Sequence, residues 1–208
     1  MTGTEEKKPR PEVLSPEGSA PGTRGLTFDA LRVRAQQLSL REQLERQHFL
    51  LERLNAASAR LLQAIEAGDV YEALGEIIGN LLGSEEVAIF RHHAADQTFS
   101  VAWSVGVEKE TIEQFGSGAG LIGRAVHEGT SQFSSRKPGS PLLSHESKLT
   151  ACIPLKLDRD VIGVIVILGL LPQKNGLEWA DFELLKYLET YGAVAAQLQN
   201  LQKNSVKP

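Results

Sequence analysis

The chain has one cysteine, Cys152, one methionine, and aromatic residues at only 6%. A single thiol excludes an internal disulfide. No apolar run approaches the roughly 18 residues of a membrane-crossing helix, and no apolar signal segment follows Met1. Neither sign of charge dominates. Twenty-two basic against 26 acidic residues leave a formal net charge of −4, which argues against a general nucleic-acid binder. No His-Cys-carboxylate spacing suggests zinc, no serine stands in a G-x-S-x-G elbow, and no Walker lysine follows a glycine loop. The expectation is a cytoplasmic protein with no membrane, nucleic-acid or metal partner and no catalytic apparatus. Its 208 residues suffice for one domain of about 150 residues plus extensions.

Proline and glycine are missing between Thr27 and Gly68. Ahead of that stretch, residues 1–26 are rich in Pro, Gly, Ser, Thr and charge. With almost nothing to bury, this segment is expected to be disordered, including Lys7-Lys8-Pro9-Arg10. Residues 27–67 read as one long helix capped by Thr27. Its apolar positions, Val33, Leu40, Leu44, Leu51, Leu54, Leu61 and Ile65, form a heptad seam if Gln47 and Ser58 fill two slots. About 40 helical residues span roughly 60 Å, longer than a small domain. The seam is therefore expected to pair with a second copy, with Leu40, Leu44, Leu51, Leu54, Leu61 and Ile65 at a dimer interface. The alternative is a helix folded back on its own domain.

From about residue 55 to 202 the pattern is that of a globular α+β domain. Gly68 ends the long helix and Asp69 is placed to cap the next, whose stripe is Val70, Leu74, Ile77, Ile78, Leu81 and Leu82, closed by Gly83. Strands are expected at 86–91 and 98–105, with Phe99, Val101 and Trp103 on one face of the second. A two-turn helix follows at 108–115, then GSGAGLIGRAVHEGT at 116–130. Gly118, Gly120 and Gly123 satisfy G-x-G-x-x-G. A dinucleotide site also needs a buried strand just before it and an acidic residue about 20 positions on, closing a parallel βαβ unit. Here a polar helical stretch precedes the glycines and the sheet reads as antiparallel. The glycines are read as a tight turn into a helix at 121–127, whose first amides with Arg124 could hold a small anion. A short strand at 131–134 leads to RKPGSPLLSHES, 136–147, expected to form a mobile lid. LTACIPLKLDRDVIGVIVILG, 149–169, reads as an antiparallel hairpin whose second strand is apolar enough to be covered on both faces. A closing helix at 178–202 carries Phe182, Leu185, Leu188, Tyr191, Ala195, Leu198 and Leu201 in one stripe, with 203–208 frayed.

Three of these stretches, GSGAGLIGRAVHEG, LTACIPLKLDRDVIGVIVILG and LEWADFELLKYLETYGAVAAQL, together resemble a GAF domain, a ligand-sensing and dimerising module of signalling proteins. The resemblance implies a central antiparallel sheet with helices on both faces, long helices on one and short helices and loops closing a small-molecule pocket on the other. It makes Trp103, Phe115, Leu121, Arg124, His127, Phe133 and His145 the candidate ligand-binding residues, with Arg124 and His127 facing any anionic ligand. No particular cofactor is implied. Bilin-binding members attach through a cysteine near the pocket, whereas Cys152 lies in an expected core strand. The Asn-Lys-Phe-Asp-Glu set of cyclic-nucleotide binders cannot be assembled here. Reducers of free methionine sulfoxide need several cysteines. Haem-binding members use an axial histidine, which leaves His92, His93, His127 and His145 as candidates. His48 reads as a helix-surface residue. The expected function is a non-catalytic, homodimeric regulatory module that binds a small ligand and relays it to a separate partner protein. The alternatives are a ligand-free scaffold of the same fold and a redox or haem sensor through His127 or Cys152.

Overall fold

The computed structural model describes residues 21–93, 98–108, 112, 120–133 and 148–205. Helix α1 spans Pro21–Ala67. It starts ahead of Thr27 and enters the segment read as disordered, with proline at its first position, where the missing N–H costs nothing. Helix α2 (Val70–Ile77) continues into a π-helical turn (Ile78–Leu82). Strands β1 (Val87–His93) and β2 (Thr98–Val105), helix α3 (Gly120–Glu128), and strands β3 (Gln132–Phe133), β4 (Ala151–Leu157) and β5 (Asp160–Ile167) follow. Helix α4 (Trp179–Tyr187), a second π-helical turn (Leu188–Gly192) and helix α5 (Ala193–Ser205) close the chain. Residues 203–205, expected to fray, are thus helical.

The five strands form one sheet in the order β2-β1-β5-β4-β3, every described pair antiparallel. The β4–β5 hairpin turns at Asp158 and Arg159, with Asp158 at φ 53°, a region that aspartate tolerates better than most residues. Pro154 sits in β4 beyond the last residue paired with β3, so its missing donor breaks no described β3 pairing. The sheet has two buried faces. One side carries Val87, Ile89, Ala151, Ile153, Leu155, Ile165 and Ile167 against α2, α4, α5 and the end of α1. The other carries Ala88, Phe90, Cys152, Val164 and Val166 against Leu121, Ile122 and Ala125 of α3.

Strand β2 departs from simple alternation. Ile89 pairs Trp103 but Phe90 pairs Val101, so Ala102 is a bulge. The extra residue turns Trp103 away from the face of Phe99 and Val101, which the sequence pattern had given it. Trp103 packs with the long-helix face, its six-membered ring where a Cβ at Gly75 of α2 would stand. The closing helix shows a comparable correction. Its π turn adds a residue and rotates the face that follows. Leu185, Leu188 and Ala195 are buried, while Phe182, Tyr191, Leu198 and Leu201 are exposed. Gly68 ends α1 with φ +76°, as its position required. Asp69 precedes α2 but makes no side-chain cap. It accepts from Arg60 at 3.2 Å, and the Val70 amide donates instead to Gln199 Oε1 of α5 at 2.7 Å.

The chain divides into two compact units, Met1–Arg46 and Gln47–Pro208. In the first, the described side chains of α1, including Leu40 and Leu44, are exposed. In the second, Leu51 is exposed, whereas Ala57, Leu61 and Ala64 are buried in the core, with Leu54 and Ile65 packed against it. The seam from Leu40 to Ile65 is therefore not one continuous free surface, because its last turns are spent inside the domain. Arg53 anchors that end. Its Nη2 donates to the Leu81 carbonyl and to Asp181 Oδ1 at 2.8 Å. Lys174 donates to the Leu82 carbonyl and lies 2.7 Å from Asp181 Oδ2, which also accepts the Glu178 amide at 2.8 Å. Burial alone would raise the Asp181 carboxyl. The Glu178 amide and the Lys174 and Arg53 side chains outweigh it and hold the group below its ordinary value.

Two measurements test this packing. Alanine for glycine in a helix is worth up to about 1 kcal/mol, but overpacking costs about 1–3 kcal/mol. Gly75→Ala should therefore lower Tm, and in a Trp179→Phe background it should shift Trp103 emission to the red. Asp181 stabilises the fold in its charged form, so its contribution is full at neutral pH and is lost as pH falls below about 4. Asp181→Asn should cost about 3–5 kcal/mol at pH 7, because Arg53 and Lys174 lose their carboxylate. The loss should narrow in acid when urea midpoints are compared from pH 7 to pH 3.

Candidate functional site

The α3 side of the sheet is where the sequence placed a pocket. Its floor is made of Ala88 and Phe90 of β1, Cys152 of β4, and Val164 and Val166 of β5, all buried. Strands β1, β4 and β5 put every second residue toward α3, and apart from Phe90 these residues are short. Helix α3 lays Leu121, Ile122 and Ala125 on it, spaced one and three residues apart on one helical face. Phe99, Val107, Ile112 and Val126 pack around this cluster.

One polar atom stands out there. His92, near the end of β1, packs its ring against Phe99 with centroids 5.0 Å apart. Its Nδ1 lies 2.8 Å from the Val161 carbonyl, which can only accept, so Nδ1 carries a proton. In the neutral ring Nε2 is then a bare acceptor, buried and without a hydrogen-bond partner among the described residues. An imidazole held this way by a carbonyl presents Nε2 to whatever comes next to it. His93 points the other way, its Nε2 2.8 Å from Ser100 Oγ, and is exposed. His48 lies on the exposed surface of α1, 3.7 Å from Glu52.

Those of the candidate ligand-binding residues that are described do not gather in one place. Leu121 is buried in the α3 cluster. Arg124 and His127 lie on the exposed side of α3. Trp103 is on the opposite face of the sheet, owing to the β2 bulge. Phe133 pairs with Ala151 and meets Phe182 of α4 edge-on at 5.1 Å, which also places it on the long-helix side. Phe115, His145, the glycines at 116 and 118 and the segment 136–147 lie outside the described residues. Gly120 and Gly123 fall in α3, beside a sheet with no parallel pair among its described strands, so the G-x-G-x-x-G spacing is not part of a parallel βαβ unit. Cys152 is fully buried in β4. The described residues bring no three His, Cys, Asp or Glu side chains together as a metal would need, and no helix among them is long and apolar enough to cross a membrane.

A second concavity lies on the long-helix side. A cleft of about 590 Å³ is lined by Phe49 and Arg53 of α1, Asn80 and Leu81 of the first π turn, and the 171–178 loop with Asp181. Nothing in the local sequence announced it, since Arg53 and Asp181 are 128 positions apart and each reads as a surface charge.

The model of the GAF domain family matches residues 64–197. No curated protein sequence matches the chain. Among solved structures the fold is similar to the GAF domain of a phosphoenolpyruvate–protein phosphotransferase from Coxiella burnetii, at TM-score 0.59 and 15% identity, covering 74% of this chain and 96% of that one. The corresponding domain from Acinetobacter gives TM-score 0.54 and 16% identity, covering 74% and 97%. The GAF domain of a putative sensor histidine kinase from Pseudomonas syringae pv. tomato gives 0.51 and 17%, covering 81% and 97%. At these identities the structures speak for the fold alone. The family match spans well over half of the chain and coincides with the antiparallel sheet and its two helical covers, and the chain belongs to the GAF domain family, sensory and regulatory modules of signalling proteins.

Proposed function

We propose that this chain is a non-catalytic sensory module, acting in the cytoplasm as a homodimer through its terminal helices. It binds a small ligand between α3 and the sheet and relays occupancy to a separate partner protein. The observation that carries the ligand half is the His92 Nε2 acceptor, buried beside the α3 cluster without a partner among the described residues. An unmet buried acceptor costs about 1–3 kcal/mol, which a ligand donor would recover. The dimer half rests on side chains that the fold leaves exposed: Leu40, Leu44 and Leu51 on α1, and Tyr191, Val194, Leu198 and Leu201 on the closing helices. A ligand that prefers one packing of those helices shifts their balance and so carries the signal outward.

One observation favours the scaffold reading, in which the fold acts only through protein contacts. The floor of the α3 cluster is already fully covered by the chain itself. Native mass spectrometry of the purified protein separates the two. A dimer with a co-purifying small molecule, lost in His92→Phe, supports the sensor. A ligand-free dimer that captures its partner through residues 28–66 supports the scaffold. Leu198→Asp combined with Leu201→Asp should turn the dimer into a monomer without lowering Tm of the isolated chain by more than about 1 kcal/mol equivalent, and a parent protein that is already monomeric overturns the dimer.

A further inference from the structure

The geometry points to a second ligand site, independent of the α3 side: the cleft beside Arg53 takes a small organic acid. The acid sets its carboxylate toward Arg53 and Lys174 and its apolar body against Phe49 and Leu171. At about 590 Å³ the cleft has the volume of a small-molecule site. Its inner wall is built from charged side chains that are themselves buried, Arg53 at 7% exposure and Asp181 at 2%.

Hydrogen-bond accounting sets the chemistry of the guest. Arg53 spends Nη2 on the Leu81 carbonyl and Asp181 Oδ1, while its Nε and Nη1 donate to no described group. Lys174 spends two N–H bonds, on the Leu82 carbonyl and Asp181 Oδ2, and keeps a third. On the acceptor side, Asp181 Oδ1 takes Arg53, and Oδ2 takes both Lys174 and the Glu178 amide. The Asp181 amide donates to the Glu178 backbone carbonyl at 2.9 Å. The spare capacity of the inner wall is thus mainly in donors: Arg53 and Lys174 share one buried carboxylate, that of Asp181, while Glu178, the second carboxylate lining the cleft, is exposed. A guest bearing acceptor oxygens and negative charge completes that set, while a cation would add donors to donors. The outer wall supplies the rest. Phe49 is exposed, with the Arg53 guanidinium 5.4 Å from its ring centroid, and Leu171 lines the same cleft. An aromatic acid slides its ring along Phe49 and its carboxylate inward.

Benzoate is the probe, with benzyl alcohol as its neutral counterpart, added to the full chain while the Arg53 Nε–H resonance is followed by NMR. Benzoate should shift that resonance saturably, benzyl alcohol and sodium chloride at equal concentrations should not, and Phe49→Ala should weaken benzoate about fivefold or more. Phe49 makes none of the hydrogen bonds in the Arg53–Asp181–Lys174 set, so the variant keeps the inner wall, and Lys174→Met provides a second loss that leaves the Arg53–Asp181 pair in place. A non-saturating response, an equal response to benzyl alcohol or chloride, or an unchanged affinity in Phe49→Ala overturns the assignment. None of these outcomes bears on the α3-side ligand, because the two sites lie on opposite faces of the sheet.

Discussion

From Gly163 onward strand β5 has no side that faces water. Val164, Ile165, Val166 and Ile167 are all fully buried, alternating between the two core clusters. An antiparallel strand of that kind has to be paired at both edges and covered on both faces, since an exposed apolar face or an unpaired buried backbone costs more than a domain of this size can offset. The rest of the architecture answers that requirement. Strands β1 and β4 take its two edges. On one face the end of α1, α2, α4 and α5 supply a thick cover, and on the other α3 supplies a thin one.

The thick cover brings the C-terminal end of one helix against the N-terminal end of another. The π turn after α2 ends at Leu82 with carbonyls directed at Arg53 and Lys174, while Asp181 sits in the first turn of α4. Cations at a helix C-terminus and a carboxylate at a helix N-terminus both follow the sense of the helix dipoles. A buried pair of this kind gives little net stability over an apolar substitute, yet it tolerates no misalignment. Arg53 comes from α1, the Leu81 and Leu82 carbonyls from the first π turn, and Lys174 and Asp181 from one stretch around the start of α4, so the set pins three segments in one registry. It also sets where the last turns of α1 lie on the domain.

The two faces therefore differ in what they can do. The α3 side is apolar and nearly filled, with one imidazole nitrogen left as an acceptor. The long-helix side carries charge, an open cleft, and the exposed apolar positions of the closing helices. A sensory module needs a place to bind and a surface that responds, and the sheet separates the two by its own thickness.

Much of this is set by local pattern. The apolar density of 161–168, the short charged turn before it, the α2 stripe and the stop at Gly68 each follow from side-chain period or backbone freedom within a few residues, and the structure repeats them. Where tertiary contacts intervened, the local reading failed for definite reasons. The bulge at Ala102 reversed Trp103. The π turn at 188–192 broke the closing stripe in two. Leu54, Leu61 and Ile65, indistinguishable by heptad spacing from Leu40 and Leu44, were taken up by the core because α2 and α4 lay beside them. By itself the sequence determined the elements and the need for a sheet covered on both faces, since both depend on neighbours in the chain. Only the tertiary structure decided which apolar residues stay exposed, which histidine nitrogen is met, and that Arg53 would meet Lys174 and Asp181. The reason is that those depend on residues far apart in the chain, 69 positions for His92 and Val161 and 128 for Arg53 and Asp181.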